Sequence, residues 1–202
     1  MPLFPMFLKL AGRRCLVVGG GAVGEGKIAG LLDAGAEPTV VAPEVTEKVK
    51  AWASAARVTW LERKFSPADL DGTFLVIAAT SRVEVNELVF REAAQRGVLC
   101  NVVDDPERCD FYYPAVLRRG QLQIAISTSG SSPALARRLR QELEQQFSAY
   151  YGAWLEELAE TRRRLLNTHL DSGQRRRWLH GLASREAFDR FVQKRAEEGR
   201  SG

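Results

Sequence analysis

Short apolar runs rich in β-branched residues alternate, over the first half of the chain, with stretches whose apolar positions recur every three or four residues. The runs 14–18, 37–42, 58–62, 74–78 and 98–103 predict five strands. Run 74–78 is apolar throughout, as in a strand covered on both faces. Between the runs, the helical period predicts helices over 22–34, 46–54 and 83–96, the first carrying Ile28, Leu31 and Leu32 on one stripe. Gly35 and Gly97 stop two of them, and Ser66-Pro67 opens a further helical turn. Strands alternating with helices at this spacing imply an α/β fold with a right-handed, mostly parallel sheet. The apolar residues 3–10 are expected to cover the edge of that sheet.

Past residue 111 the pattern changes. Residues 113–117 and 121–127 read as two strands of a hairpin around Arg118-Arg119-Gly120. A hydroxyl-rich loop follows, Ser127-Thr128-Ser129-Gly130-Ser131, and then Ser132 as N-cap and Pro133 as first residue of a helix to Phe147. From 148 onward the chain reads as helical and basic, with arginine triplets at 162–164 and 175–177 around a turn at Asp171-Ser172-Gly173. Trp154, Leu155, Leu158, Leu165 and Leu166 form an apolar stripe with no strand layer of their own to cover it. That stripe must be buried on the first domain or on another subunit.

With 45% hydrophobic and 27% charged residues in 202, the composition is that of a globular protein of one domain or a domain with an appendage. No apolar run is long enough to span a bilayer, the N-terminus does not read as a signal peptide, and no membrane partner is expected. Cys15, Cys100 and Cys109 read as small hydrophobes of a reducing, cytoplasmic compartment. Charge is uneven: 13 Lys/Arg face 15 Asp/Glu up to residue 111, and 16 face 10 beyond it. A basic second half suits an anionic partner, either nucleic acid or a polycarboxylate small molecule.

The chemistry concentrates at strand ends. Gly19, Gly21 and Gly24 fit the G-x-G-x-x-G dinucleotide pattern in a strand–turn–helix setting. The first glycine turns the chain, the second admits a pyrophosphate against the backbone, and the third lets helix and strand pack closely. Glu44 lies twenty residues after Gly24, where a carboxylate often holds the adenosine ribose; it could equally be an acidic residue opening the next helix. Ala79-Thr80-Ser81 ends the fourth strand beside the expected nucleotide crevice, and Asn101-Val102-Val103-Asp104-Asp105 closes the fifth. Asp104 is placed to act as a general base or to offer oxygen to a metal, whereas Asp105 reads as a turn cap before Pro106. The histidines, His169 and His180, both fall in the helical tail and form no metal cluster with the cysteines.

In order and spacing, Leu3–Phe7, Val17–Lys27, Ile77-Ala78-Ala79-Thr80 with Asn86, Cys100–Asp104, Phe111–Ala115 and Ser127–Ala136 resemble the sirohaem synthase family. The resemblance is close over 1–147, looser over the tail, and looks like the stand-alone form without the methyltransferase. It implies oxidation of precorrin-2 to sirohydrochlorin with NAD+, and, for bifunctional members, insertion of ferrous iron. It also implies a homodimer with a Rossmann domain at 1–112, a small α+β dimerisation region at 113–147 and a helical domain at 148–202. On this resemblance Asp104 is catalytic, and Ala22, Val23, Pro43 and Glu44 join Gly19, Gly21, Gly24, Ala79 and Thr80 around NAD. Asn101, Ser127, Thr128, Ser129, Gly130, Arg137 and Arg138 are implied for the substrate, with Arg118 and Arg119 as further candidates for its carboxylates. Thr128 stands where some members carry a phosphorylated serine. Neither a resident metal nor nucleic acid is implied. Two other classes compete: an NAD-sensing regulatory module, which leaves Asp104 unexplained, and a DNA-binding protein, for which no recognition helix is evident.

Overall fold

The computed structural model describes residues 3–167 and 171–198, and in it the five apolar runs become β1 (Arg14–Gly20), β2 (Glu37–Val45), β3 (Thr59–Leu61), β4 (Leu75–Ala78) and β5 (Leu99–Val102). All neighbouring pairs are parallel, in the order β3-β2-β1-β4-β5. Three helices connect them: α1 (Ala22–Asp33), α2 (Glu47–Ser54) and α3 (Val83–Arg96). Successive residues of β1 feed opposite faces of the sheet. Leu16 and Val18 pack with Val76, Cys100 and the α3 residues Val89 and Ala93, while Cys15 and Val17 pack with Val40, Ile77 and the α1 residues Ile28 and Leu31. Each large side chain so buried contributes about 1.5–3 kcal/mol, and the buried positions of β1 and β4 are all apolar or cysteine. The strand order reverses about β1 and β4, and the crevice outside their carboxyl ends is where such sheets bind ligands.

Two local readings are corrected here. The second strand does not stop at Ala42: it runs through Pro43 and Glu44 to Val45. Val41 pairs with Val18 and Val45 with Gly20, so four steps along β2 match two along β1. Pro43 therefore lies in a bulge, where the ladder is interrupted and a missing N–H costs nothing. Residues 3–8 do not cover a sheet edge; Phe4 is 81% exposed and Phe7 68%, and only Leu10 of the segment packs on the core. Ser66-Pro67 opens a helical turn as expected, of 3-10 form over Pro67–Leu70, whose Asp69 is held by Arg63 and by the Ser66 N–H.

The chain divides into two compact units, Met1–Tyr112 and Tyr113–Gly202. The second contains the antiparallel pair β6 (Ala115–Arg119) and β7 (Leu122–Ile126), then α4 (Pro133–Gln146), α5 (Tyr150–Leu166), α6 (Ser172–Leu182) and α7 (Arg185–Glu198). Part of the α5 stripe finds a cover not foreseen from the sequence: Tyr151 stacks on Phe188 of α7 at 4.1 Å and Trp154 meets the same ring edge-on. Asp171-Ser172-Gly173 is not a turn between helices but the start of α6, with Asp171 as its N-cap bonded to Gln174 N–H. Among the described residues no helix is long and apolar enough to cross a membrane.

Candidate functional site

The first unit contains a cavity of about 710 Å³ at the carboxyl ends of its strands. Its floor is the turn from β1 into α1. Gly19 takes φ +108, which a side chain would strain, and a Cβ there would collide with Ala79 O. A Cβ on Gly24 would collide with Gly19 O, so the third glycine is required for α1 to sit against the strand. Gly21 meets nothing within 4 Å of where its Cβ would stand, and it lines the cavity. No side chain caps α1, although Gly21 is its N-cap. Its first N–H groups are thus available to an outside acceptor, and an anion at a helix N-terminus is favoured by the dipole as well. The donor set fits a dinucleotide pyrophosphate.

Gly19, Gly21, Ala22, Val23, Pro43, Glu44, Ala79, Thr80 and Asp104 all line this one cavity; Gly24 is buried in α1 and does not line it. Val23, 52% exposed although apolar, presents its side chain at the mouth. Glu44 belongs to the end of β2 after all, pushed out by the bulge. The Thr80 hydroxyl is already engaged: it donates to Asn86 Oδ1 at 2.7 Å and accepts the Arg82 N–H at 3.1 Å, and the Thr80 carbonyl accepts the Asn86 Nδ2–H at 3.0 Å. Lys64, Phe65, Ser81, Arg82, Val85 and Leu88 complete the wall. Sequence reasoning placed Ser81 beside the crevice and missed the other five, because no motif marks them. Gly20 was missed as well: a Cβ there would strike Val45, so the β1–β2 bulge depends on it.

Asp104 lies two residues past the end of β5, with φ +62. An aspartate tolerates this left-handed conformation better than most residues, but it persists only where the surroundings hold it. The chain before it is fixed by Val103 N–H to Ala78 O at 2.9 Å. The chain after it folds back along β5, Cys100 and Asp110 exchanging two bonds of 2.8 Å. Asn101 serves this fold-back. It is 6% exposed and donates from Nδ2 to Phe111 O at 2.8 Å and to Cys109 Sγ at 3.2 Å, and it does not line the cavity. The Asn101 Nδ2 donors, expected for substrate, are thus directed to the loop carrying Asp104 rather than into this cavity. Asp105 pairs with Arg108. Half-buried Lys27 on α1 faces Asp104 and Cys109; burial lowers its ammonium below the usual lysine range, against the pull of those two groups.

The remaining expected residues lie in the second unit. Ser127 Oγ accepts the Ser129 N–H and Thr128 Oγ1 accepts the Ser132 N–H, both at 3.1 Å, with Ser129 at φ +52 and Gly130 at φ +80. Arg137 is exposed, and Arg138 reaches Glu142 at 3.2 Å. Arg119 is not offered to a ligand: its guanidinium donates to Phe147 O and Glu144 O at the end of α4. His180 is exposed on α6, and His169 lies outside the described residues. Among the described residues no three His, Cys, Asp or Glu side chains converge on a metal-sized site.

A family profile for NAD(P)-binding domains matches residues 6–115, and one for the central region of sirohaem biosynthesis proteins matches 119–146. Siroheme synthase 1 of Aeromonas salmonicida is 42% identical over 184 residues, covering 91% of this chain and 39% of that protein. Siroheme synthase 2 of Yersinia enterocolitica is 41% identical over 198 residues, 98% of this chain and 41% of that protein. The chain thus spans about two fifths of the length of these curated relatives. Among solved structures, SirC, a precorrin-2 dehydrogenase, is similar with a TM-score of 0.81 at 28% identity, over 95% of this chain and 98% of that one.

Proposed function

The chain belongs to the sirohaem synthase family, and on that premise we propose that it oxidises precorrin-2 to sirohydrochlorin with NAD+, Asp104 acting as the general base. One observation carries the reading: a carboxylate in a held left-handed conformation lines the same cavity as an uncapped, glycine-fronted helix N-terminus. Removing two hydrogens from a reduced tetrapyrrole releases a hydride and a proton. A bound nicotinamide supplies the hydride acceptor. The chain's own residues do the rest. The α1 N-terminus binds the pyrophosphate, and Asp104 takes the proton at its carboxylate. Glu44 accepts hydrogen bonds from the adenosine ribose and repels a 2′-phosphate, which favours NAD over NADP.

The second unit supplies cations for the substrate's acetate and propionate groups, with Arg137 and Arg138 first among them and the Ser127–Gly130 loop beside them in sequence. The two-stranded sheet of β6 and β7 carries an unpaired edge on each strand among the described residues, which supports pairing with a second copy and a homodimer built on 113–147.

The test is anaerobic turnover of precorrin-2 with NAD+, followed as NADH. Asp104→Asn is expected to lower turnover by about a hundredfold or more with NAD affinity within about twofold of wild type. Normal turnover in that variant removes Asp104 from the mechanism, and no NADH from the folded wild type ends the proposal.

A further inference from the structure

The bulge in β2 has no ladder bonds of its own, so the position of Pro43 and Glu44 depends on what clamps its two ends. Upstream, the Trp60 indole N–H donates to Ala42 O at 3.0 Å. Downstream, the Thr46 N–H donates to Gly20 O at 3.0 Å. The Thr46 hydroxyl then donates to Glu25 Oε2 at 2.8 Å while accepting the Val49 N–H at 3.3 Å. Lys48 closes the arrangement with an ion pair to Glu25 Oε1 at 3.2 Å.

Glu25 is an odd residue to find in the first turn of α1, one position after Gly24. A negative side chain there stands on the helix end that a pyrophosphate would approach, and a free carboxylate would oppose it. It is not free: Thr46 and Lys48 take its two oxygens, one each. The Thr46 bond first, and Lys48 second, hold it below the usual carboxylate range, so it stays ionised and keeps accepting. Both partners belong to the segment just beyond the bulge, so Glu25 ties the phosphate-binding turn to the strand end carrying Glu44.

We propose that Glu25 is the positioning residue for the adenosine half of the bound dinucleotide, acting through Thr46 to fix Pro43 and Glu44 against the start of α1. The inference rests on nucleotide binding in this cavity and not on the oxidation of precorrin-2. It makes the adenosine wall a composite of two elements, neither placed without the other.

Calorimetric titration of the full chain with AMP and, separately, with inorganic pyrophosphate tests it. Thr46→Val is expected to weaken AMP about tenfold, the worth of a hydrogen bond to a charged group, with pyrophosphate affinity within about twofold of wild type. Thr46→Ser, which keeps the hydroxyl, restores AMP binding. Because Thr46→Val also uncaps α2, Glu25→Gln serves as the second variant; it leaves an oxygen for Thr46, drops the charge facing Lys48, and is expected to weaken AMP about threefold. AMP affinity unchanged in both variants overturns the proposal. Equal loss of AMP and pyrophosphate also overturns it, since that is general loosening of the fold. Glu44→Ala separates this from the ribose assignment: wild-type AMP affinity there, with loss in Thr46→Val, removes Glu44 as the ribose ligand and leaves the clamp standing.

Discussion

Before α1 the chain runs Gly19-Gly20-Gly21 into a helix start that no side chain caps, whereas before α4 it runs Ser127-Thr128-Ser129-Gly130-Ser131-Ser132 into one that is already served. Pro133 brings no N–H, Ser132 Oγ takes the Leu135 N–H at 3.2 Å, and Thr128 and Ser127 take two more within the loop. Both loops are small-residue turns ahead of a helix, and by composition either could receive an anion. The first leaves its leading N–H groups to an outside acceptor, while the second gives the N–H groups of Ser129, Ser132 and Leu135 to its own hydroxyls. Hydroxyls make a loop self-sufficient, while glycines leave the same donors for a guest.

Substitutions can break that contrast. The largest effect is expected from Gly24→Ala, whose methyl would press on Gly19 O; overpacking of this kind costs about 3 kcal/mol, measured by urea unfolding, and NAD binding falls with it. Gly21→Ala is the sharper case. Its methyl has room in the free protein, so stability stays within about 0.5 kcal/mol while NAD weakens by at least about tenfold, or 1.4 kcal/mol. Stable protein with normal NAD affinity would mean that the pyrophosphate does not approach Gly21. Smallest is Ser132→Ala, expected to cost about 1 kcal/mol of stability through the lost cap and to leave NAD affinity alone. If it instead weakens NAD as Gly21→Ala does, the two loops are not opposite in kind.

The sheet was legible because burial on both faces admits little but Val, Ile, Leu and small residues, as in β4. Gly97 marked the end of α3 correctly, at φ +65. What escaped was set by partners distant in sequence. Pro43 reads locally as a strand breaker, and only the two-for-four match with Val18 and Gly20 shows that no N–H is needed there. Asn101 reads as a polar residue beside a catalytic motif, yet its partners are Phe111 and Cys109, eight to ten residues on. Arg119, in a basic half, turns its guanidinium to the carbonyls at the end of α4. For the cavity, the glycines and Asp104 could be named because turn and strand-end chemistry restricts the residue type. Phe65, Val85 and Leu88 could not, since any apolar side chain of similar size would serve.

The β2 bulge has a consequence for how this crevice can change over generations. Two extra residues, inserted where the ladder to β1 is already open, carry Glu44 outward without disturbing the register on either side. Chain length there is a variable separate from the sheet's stability: shortening or lengthening the segment would re-aim or delete the carboxylate while Val41 and Val45 keep their partners. Preference for one dinucleotide over another can thus be rewritten by insertion or deletion, with the buried core as a spectator.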